Sequence, residues 1–313
     1  MEATEFDPEP RLLTRIARGF RSGWRIACVG AVALRWSAAL LLVRRHRRDL
    51  ASRANWLRET CRAALKVFNV EATAIGDAPR NSVMVANHLG YLDVLAIAAL
   101  TPVVFVAKRE IASWPLLGWF ARTAGTCFID RRNRSDVVRV GNEIEAALAA
   151  GVSVVVFLEG TSSDGRGVLP FKSSLLEPVA RNRLRAAPAA LVFVVPKGFS
   201  SVDDVCWWGD MTFAPHLFKF GTVPRVAVRV AWGKAAEATQ DRKELASNLR
   251  EQVVALHGAL CRENSDQTAA LAIRPPPPDA ALRIQPTVTL ERTPVGGSKP
   301  VDTGADDVVR WHT

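Results

Sequence analysis

Residues 82–100, SVMVANHLGYLDVLAIAAL, decide the fold predicted for this chain. The short apolar run SVMVA is typical of a buried strand, and the stretch from about residue 91 to residue 100 is typical of a helix. Between them lies His88, one of five histidines, and Asp93 follows it in the first turn of the helix. Because α/β folds present ligand sites at strand-to-helix turns, this stretch predicts both an α/β fold and a candidate site.

The same alternation continues on both sides of this stretch. Short β-rich runs such as GTCFID, VSVVVFLEG and AALVFVVP alternate with helical patterns from about residue 69 onward. This order predicts a mixed, largely parallel central sheet flanked by helices and preceded by an N-terminal membrane-associated helical segment. The predicted regions are membrane-attachment helices in 1–50, the α/β domain in 51–263 and a disordered Pro-rich tail in 264–313.

The N-terminal region combines positive charge with apolar sequence. Residues 11–48 hold ten arginines and no acidic residue, in a chain of net charge +10. Residues 10–22 have a basic amphipathic pattern, and 24–43 has about the ~20 residues that span a bilayer. Arg35, in the middle of that run, favours an interfacial helix over a span. A buried core helix is the alternative for 24–43.

The charge also bears on partners and location. The basic cluster Arg44–Arg48 suits anionic headgroups and predicts an inner-membrane protein whose site faces the cytoplasm. An acidic donor carrier would suit the same charge. Nucleic acid is not expected as a partner, because the arginines surround an apolar run of lipid length.

His88 and Asp93 suit general-base chemistry. A carboxylate on the Nδ1–H of an imidazole fixes its tautomer and leaves Nε2 free as a base. Since the chain has no G-x-S-x-G elbow, the pair suits deprotonation of a substrate hydroxyl better than activation of an enzyme nucleophile. On spacing alone, a structural core histidine is the alternative, and this is our interpretation of His216, which has no visible partner. The five scattered cysteines lack a C-x-x-C pair and predict neither a disulfide framework nor a metal site.

Two further stretches end apolar runs with charged side chains. The stretch VVVFLEGTSS, residues 154–163, reaches Glu159 at the end of its run. A carboxylate without an ionic partner is expensive to bury, so we expect Glu159 to face a cleft or a partner. The stretch GTCFIDRR, residues 125–132, delivers Arg131, which suits an anionic headgroup. The alternatives are a helix cap for Glu159 and a solvated face for the arginine.

Taken together, these stretches resemble the motifs of the glycerolipid acyltransferases. NHLGYLD resembles the family's H-x4-D motif, GTCFIDR its second motif, FLEGTSS its third and VVP (194–196) its fourth, within residues 60–235. The resemblance implies an enzyme that moves a fatty acyl group from an acyl carrier protein or coenzyme A thioester to the free hydroxyl of a lysolipid, without a cofactor. It implies that His88 is the general base and that Asp93 orients it. A lipid hydrolase and a non-catalytic membrane-surface module are the alternatives.

The resemblance also implies an acceptor site. Its substrate-binding residues would be Arg131, Glu159, Gly160, Thr161, Ser162 and Lys172. Family members that form phosphatidate usually read E-G-T-R, whereas this chain has Ser162 in place of the arginine, with Lys172 able to replace part of the charge. Losing a guanidinium weakens binding of a phosphate monoester. EGTSSDG, followed by VLPFKSSLL, resembles the branch that acylates lyso-ornithine lipid, a phosphate-free aminolipid. The alternative acceptors are 1-acylglycerol-3-phosphate and lysophospholipids with larger headgroups, which similar motifs without the arginine also serve.

Overall fold

The computed structural model describes residues 12–42, 49–115, 117–130 and 133–271. The helices are α1 (Leu12–Leu42), α2 (Leu50–Val67), α3 (Tyr91–Leu100), α4 (Leu117–Ala124), α5 (Arg134–Ala149), α6 (Glu177–Arg181), α7 (Ser201–Asp204), α8 (Phe213–Gly221) and α9 (Arg242–Leu271), with 3-10 turns at Arg109–Ser113 and Ser173–Leu176. The strands are β1 (Val70–Ile75), β2 (Val83–Ala86), β3 (Val103–Lys108), β4 (Cys127–Ile129), β5 (Ser153–Val156), β6 (Arg185–Val194), β7 (Val226–Trp232) and β8 (Ala236–Glu237).

The strands form one sheet in the order β1-β7-β6-β2-β5-β3-β4, with β8 paired to β6. Neighbouring strands are parallel except for the pairs β6–β7 and β6–β8, which are antiparallel. Every residue of β2 and β5 is buried, which explains why both strands are apolar in the sequence apart from Ser153 at the start of β5. The predicted mixed, largely parallel sheet flanked by helices is confirmed.

The two faces of the sheet carry separate hydrophobic cores. Met84 of β2 belongs to a core shared with Ile97 of α3, and its neighbour Val85 belongs to a core shared with Ile144 of α5 and Leu249 of α9. Successive strand residues point to opposite faces, so helices cover both sides. The carboxyl ends of the parallel strands β2 and β5 therefore meet at one edge of the sheet, where the loops that follow them form the candidate site.

The N-terminal helix α1 is continuous across the two helical patterns predicted for residues 10–22 and 24–43. Its Arg25 guanidinium donates hydrogen bonds to the backbone carbonyls of Gly221, Val223 and Pro224, at 3.1, 2.5 and 2.9 Å. These carbonyls lie at and just beyond the end of α8, where acceptors lack helical partners and the helix dipole favours a cation. The guanidinium of Arg25, in the apolar run, thus has its hydrogen-bond acceptors inside the protein.

The outer side of α1 exposes large apolar side chains. Ile16, Phe20 and Trp24 follow one another at intervals of four residues and are 59%, 76% and 65% exposed. In the part of the chain that the structure describes, none of the helices combines the length and the apolar character needed to cross a membrane. Membrane attachment by this region stays a prediction.

The C-terminal helix α9 is longer than predicted. It continues to Leu271, past the boundary placed at residue 264. The segment 264–271, NSDQTAAL, has no proline or glycine that would end a helix, and the first proline of PPPP comes only at Pro275. The prediction for 272–313 concerns residues outside the described part of the chain, and so does the prediction for the basic cluster Arg44–Arg48.

Candidate active site

His88 and Asp93 meet in the turn between β2 and α3. The Nδ1 atom of His88 lies 2.8 Å from Oδ2 of Asp93. The aspartate side chain is fully buried, whereas 23% of the histidine side chain is exposed. Within the described residues, Nε2 of His88 has no hydrogen-bond partner. The structure therefore has the arrangement in which a carboxylate holds one ring nitrogen and leaves the other available to a substrate.

The turn itself stabilises the Asp93 carboxylate. Its Oδ2 atom accepts hydrogen bonds from the backbone N–H of Leu89 at 2.6 Å and of Gly90 at 3.1 Å. Asp93 also lies in the first turn of α3, where the helix dipole favours negative charge. Its second oxygen, Oδ1, has no partner among the described residues.

Glycine is required at position 90 for two reasons. Gly90 has φ +151°, in the region that disfavours other residues. A Cβ atom at this position would lie 3.0 Å from the backbone nitrogen and from the Cβ of Trp207. The backbone N–H of Trp207 donates to the carbonyl of Leu89 at 2.8 Å, which fixes this close approach. The turn therefore depends on a segment more than a hundred residues away.

The loop after β5 holds His88 from a second side. The Phe157 ring stacks on the imidazole with 4.2 Å between ring centroids and 16° between planes. The backbone N–H of Ser163 donates to the carbonyl of His88 at 2.8 Å, and its hydroxyl donates to the same carbonyl at 3.2 Å. The sequence did not single out Ser163 because its role depends on a contact 75 residues away in the chain.

Asn87 fixes the residue before His88. Its side-chain amide donates to the carbonyl of Leu191 at 3.0 Å and accepts from the N–H of the same residue at 2.9 Å. Asn87 is completely buried, so both of its polar atoms are satisfied by β6. This pair of bonds ties the start of the turn to the neighbouring strand.

Glu159, which was predicted to face a cleft or a partner, lies against the backbone of His88. It is 2% exposed, and its Oε1 atom accepts a hydrogen bond from the backbone N–H of His88 at 3.3 Å. The Oε2 atom has no partner among the described residues. Burial, reinforced by the charge of Asp93, raises the pKa of Glu159 to about 8, despite the opposing hydrogen bond from His88. The carboxyl group avoids the cost of a buried charge by binding a proton rather than by reaching solvent.

The other predicted acceptor residues lie along the same loop. Gly160 turns the chain with φ +78°, Thr161 is exposed and Ser162 is half-buried. Lys172 has an exposed side chain, and its backbone N–H donates to the carbonyl of Leu158 at 2.8 Å. The structure thus brings Glu159 against His88 but records no contact between the Lys172 side chain and the His–Asp pair. Arg131 lies outside the described residues.

Helix α9 supports this loop from its other end. The Arg250 guanidinium donates to the carbonyls of Val168 and Leu169 at 2.7 and 3.1 Å. The N-terminal part of the loop is bound to His88, and its later part is bound to α9. The loop therefore has fixed backbone positions on both sides of Ser162.

His216 has a partner that its sequence surroundings do not reveal. Its Nδ1 atom lies 3.1 Å from the hydroxyl of Tyr91, the first residue of α3. The two residues are 125 positions apart, so no local pattern could predict the contact. No group of three or more histidine, cysteine, aspartate or glutamate side chains in the described residues is placed to hold a metal ion.

Comparisons with known proteins agree with this architecture. Residues 69–196 match the family model described as Acyltransferase. The chain is 35% identical over 187 residues to the lyso-ornithine lipid O-acyltransferase of Brucella abortus, covering 55% of this chain and 70% of that protein. It is 30% identical over 180 residues to the 1-acyl-sn-glycerol-3-phosphate acyltransferase of Neisseria meningitidis serogroup B, covering 57% of this chain and 70% of the relative.

A solved structure has the same fold. The crystal structure of the 1-acyl-sn-glycerophosphate (LPA) acyltransferase PlsC from Thermotoga maritima matches with a TM-score of 0.58, covering 84% of this chain and 100% of that one. The two sequences are 18% identical, so the likeness concerns the fold alone.

Proposed function

This chain belongs to the acyltransferase family, and from that premise we propose that it transfers a fatty acyl group from a thioester to the free hydroxyl of a lysolipid. The donor in this proposal is acyl carrier protein or coenzyme A thioester, and the net charge of +10 suits an acidic carrier. Membership of an enzyme family argues against the non-catalytic membrane-surface module.

The observation that carries the mechanism is the His88–Asp93 pair. The 2.8 Å contact to a buried carboxylate supports the tautomer with the proton on Nδ1, which leaves Nε2 as the base. The stacked Phe157 ring limits the rotation of the imidazole. These contacts suit His88 to general-base catalysis, which contributes roughly 10²- to 10⁴-fold to a rate.

The proposed reaction is balanced without a further reagent. The hydroxyl proton of the acceptor moves to Nε2 of His88 while the hydroxyl oxygen attacks the thioester carbonyl carbon. The C–S bond then breaks, and the departing thiolate takes the proton back from the imidazolium, which Asp93 stabilises. An ester and a free thiol form, and His88 returns to its starting state.

We assign the acceptor to lyso-ornithine lipid. Ser162 replaces the guanidinium that would bind a phosphate monoester, and the relative from Brucella abortus is named for the lyso-ornithine activity. The proposed acceptor contacts are Arg131, Gly160, Thr161, Ser162 and Lys172. Glu159 takes a different role in this proposal, because its contact with the His88 backbone supports the base rather than the substrate.

The second candidate acceptor is 1-acylglycerol-3-phosphate. The relative from Neisseria meningitidis is named for this activity at 30% identity, which is only slightly lower than the identity to the lyso-ornithine lipid enzyme. Lys172 and Arg131 would then have to supply the charge that Ser162 lacks.

We further propose that the enzyme works at the cytoplasmic side of the inner membrane. The exposed side chains Ile16, Phe20 and Trp24 of α1 are interspersed with arginines, a combination that suits an anionic lipid surface. Replacing all three with serine should reduce co-sedimentation with anionic vesicles and leave the docking of Arg25 intact. Unchanged sedimentation would place the attachment elsewhere.

A competition assay tests the function. The purified chain in detergent would receive one acyl-carrier-protein thioester and equal concentrations of lyso-ornithine lipid and 1-acylglycerol-3-phosphate. We expect product mainly on the aminolipid, and we expect Ser162→Arg to shift product toward the phosphate acceptor. Product mainly on the phosphate acceptor from the unaltered chain would favour the second candidate. Normal activity of a folded His88→Ala variant would overturn the mechanism.

A further inference from the structure

Four aromatic rings converge beside the turn that carries His88. They come from four separate segments and are all partly exposed: Tyr91, Trp114, Trp207 and Phe213. We call these four residues the aromatic box. The rings of Trp114, Trp207 and Phe213 lie at 61° to 81° to one another, with centroids 5.8 to 6.2 Å apart. Tyr91 adds an edge contact to Phe213 at 5.3 Å.

The aromatic box is built onto the candidate active site. Tyr91 begins α3, three residues after His88. Trp207 is bonded to the turn through its backbone N–H and the carbonyl of Leu89, and it packs against Gly90. A group bound at the box would therefore belong to a molecule that reaches the imidazole from the same side of the turn.

The polar atoms of two of these rings point into the protein. The indole N–H of Trp207 donates to the carbonyl of Met211 at 2.8 Å, and the Tyr91 hydroxyl lies 3.1 Å from His216. Within the described residues, the guanidinium found over an aromatic ring is that of Arg18, over Phe199. The box therefore has no protein cation over its rings in that part of the chain, and its ring faces carry the negative end of the aromatic quadrupole.

Three carboxylates act on the residue next to Trp207, and Lys219, the cation that acts on His216, is paired with Asp204 at 3.1 Å. Burial, followed by the charges of Asp93, Asp164 and Asp203, raises the pKa of the thiol of Cys206, the residue next to Trp207. A cation at the box would be attracted by these carboxylates and by the ring faces.

We propose that the aromatic box binds the ammonium group of the acceptor headgroup. This inference rests on the proposed function, because a lyso-ornithine acceptor carries a primary amine on its ornithine side chain. The box and Ser162 then act together: Ser162 removes a contact for phosphate, and the box supplies a contact for ammonium. The ammonium group is the part of the headgroup that the box recognises.

The first test compares two acceptors that differ only in that charge. Wild type, Trp207→Leu and Phe213→Leu would be assayed with lyso-ornithine lipid and with the same lipid acetylated on its side-chain amine. Leucine keeps apolar bulk but removes the aromatic face, so each variant should lose roughly 5- to 30-fold in kcat/KM with the charged acceptor. The variants should match wild type with the acetylated acceptor. Trp119→Leu, on α4 and outside the box, is the control.

An equal loss with both acceptors would overturn the proposal, since it would mean that the rings serve packing or the acyl chain.

A second test does not depend on acyl transfer. Calorimetry would compare octylammonium with N-octylacetamide, and we expect wild type to bind octylammonium about fivefold tighter or more, with the preference lost in Trp207→Leu. The proposal that the box binds ammonium would be overturned by any of three results: equal affinities of wild type for the two compounds, a preference that survives in Trp207→Leu, or no binding of octylammonium. If wild type preferred octylammonium but did not acylate a lysolipid, the proposed function would be wrong and the ammonium site would stand.

Discussion

The turn at residues 87–93 and the loop at residues 157–172 each bury one carboxyl group beside His88. The two carboxyl groups differ in the hydrogen-bond donors that they receive. Asp93 receives two backbone N–H groups and the imidazole on one oxygen, at the N-terminus of a helix. Glu159 receives the N–H of His88 at 3.3 Å, and its other oxygen has no partner in the described residues. Asp93 therefore supports the imidazole of His88 through its carboxylate, whereas Glu159 supports the backbone of His88 as a mostly neutral carboxyl group, because burial raises its pKa to about 8.

The largest expected effect comes from removing the charged support. Asp93→Asn keeps the size of the side chain but loses the charge that holds the tautomer and stabilises the imidazolium. We expect kcat to fall by roughly 10³- to 10⁴-fold, measured with saturating acceptor. Circular dichroism would show that the variant is folded. Activity within tenfold of wild type would mean that Asp93 is only a turn residue.

The neutral support should tolerate an amide. Glu159→Gln keeps an oxygen for the His88 N–H and an N–H₂ group in place of the carboxyl proton, so we expect kcat/KM within roughly threefold of wild type. Glu159→Ala leaves that N–H unpaired and should cost about 1–3 kcal/mol of stability, with roughly tenfold lower activity. A Gln variant as impaired as the Ala variant would show that Glu159 acts as an anion and would remove the contrast with Asp93.

Glu159 should also make the stability of the chain depend on pH. The pKa of Glu159 is raised to about 8 in the folded chain, above its ordinary value of 4.5, so the folded state holds a proton that the unfolded state has released. This contribution is fully present below about pH 4.5 and is lost as the pH rises toward 8. The melting temperature of wild type relative to Glu159→Gln should fall between pH 5 and pH 8. A difference that is constant or rises over this range would contradict the raised pKa.

The smallest effect is expected where the two regions are bonded to each other. Ser163→Ala removes the hydroxyl bond to the His88 carbonyl but keeps the backbone N–H bond to the same atom. We expect about 1 kcal/mol lower stability, by urea denaturation, and a two- to fivefold lower kcat. A loss comparable to that of Asp93→Asn would mean that the loop, rather than the turn, determines the position of His88.

The sequence was most informative where partners are close in the chain. His88 and Asp93 are five residues apart, so their contact follows from one strand-to-helix turn, and the family resemblance built on this motif is confirmed by the matches over residues 69–196. The prediction left open whether Glu159 faces a cleft or a partner, and the structure places its carboxyl group against the backbone N–H of His88, 71 residues away in the chain. A raised pKa then allows burial without a cation, which the sequence pattern does not reveal.

By itself, the sequence determined the α/β class, the largely parallel sheet and the acyltransferase family, because apolar periodicity and local motifs can be recognised without knowledge of distant contacts. Only the tertiary structure decided which groups surround His88. Arg25 meets Gly221 across 196 residues and Tyr91 meets His216 across 125, and such contacts arise when separate elements pack on a shared core. The proposed base, His88, is thus specified locally, whereas the residues that contact it and the aromatic box beside it are set by how the elements pack together.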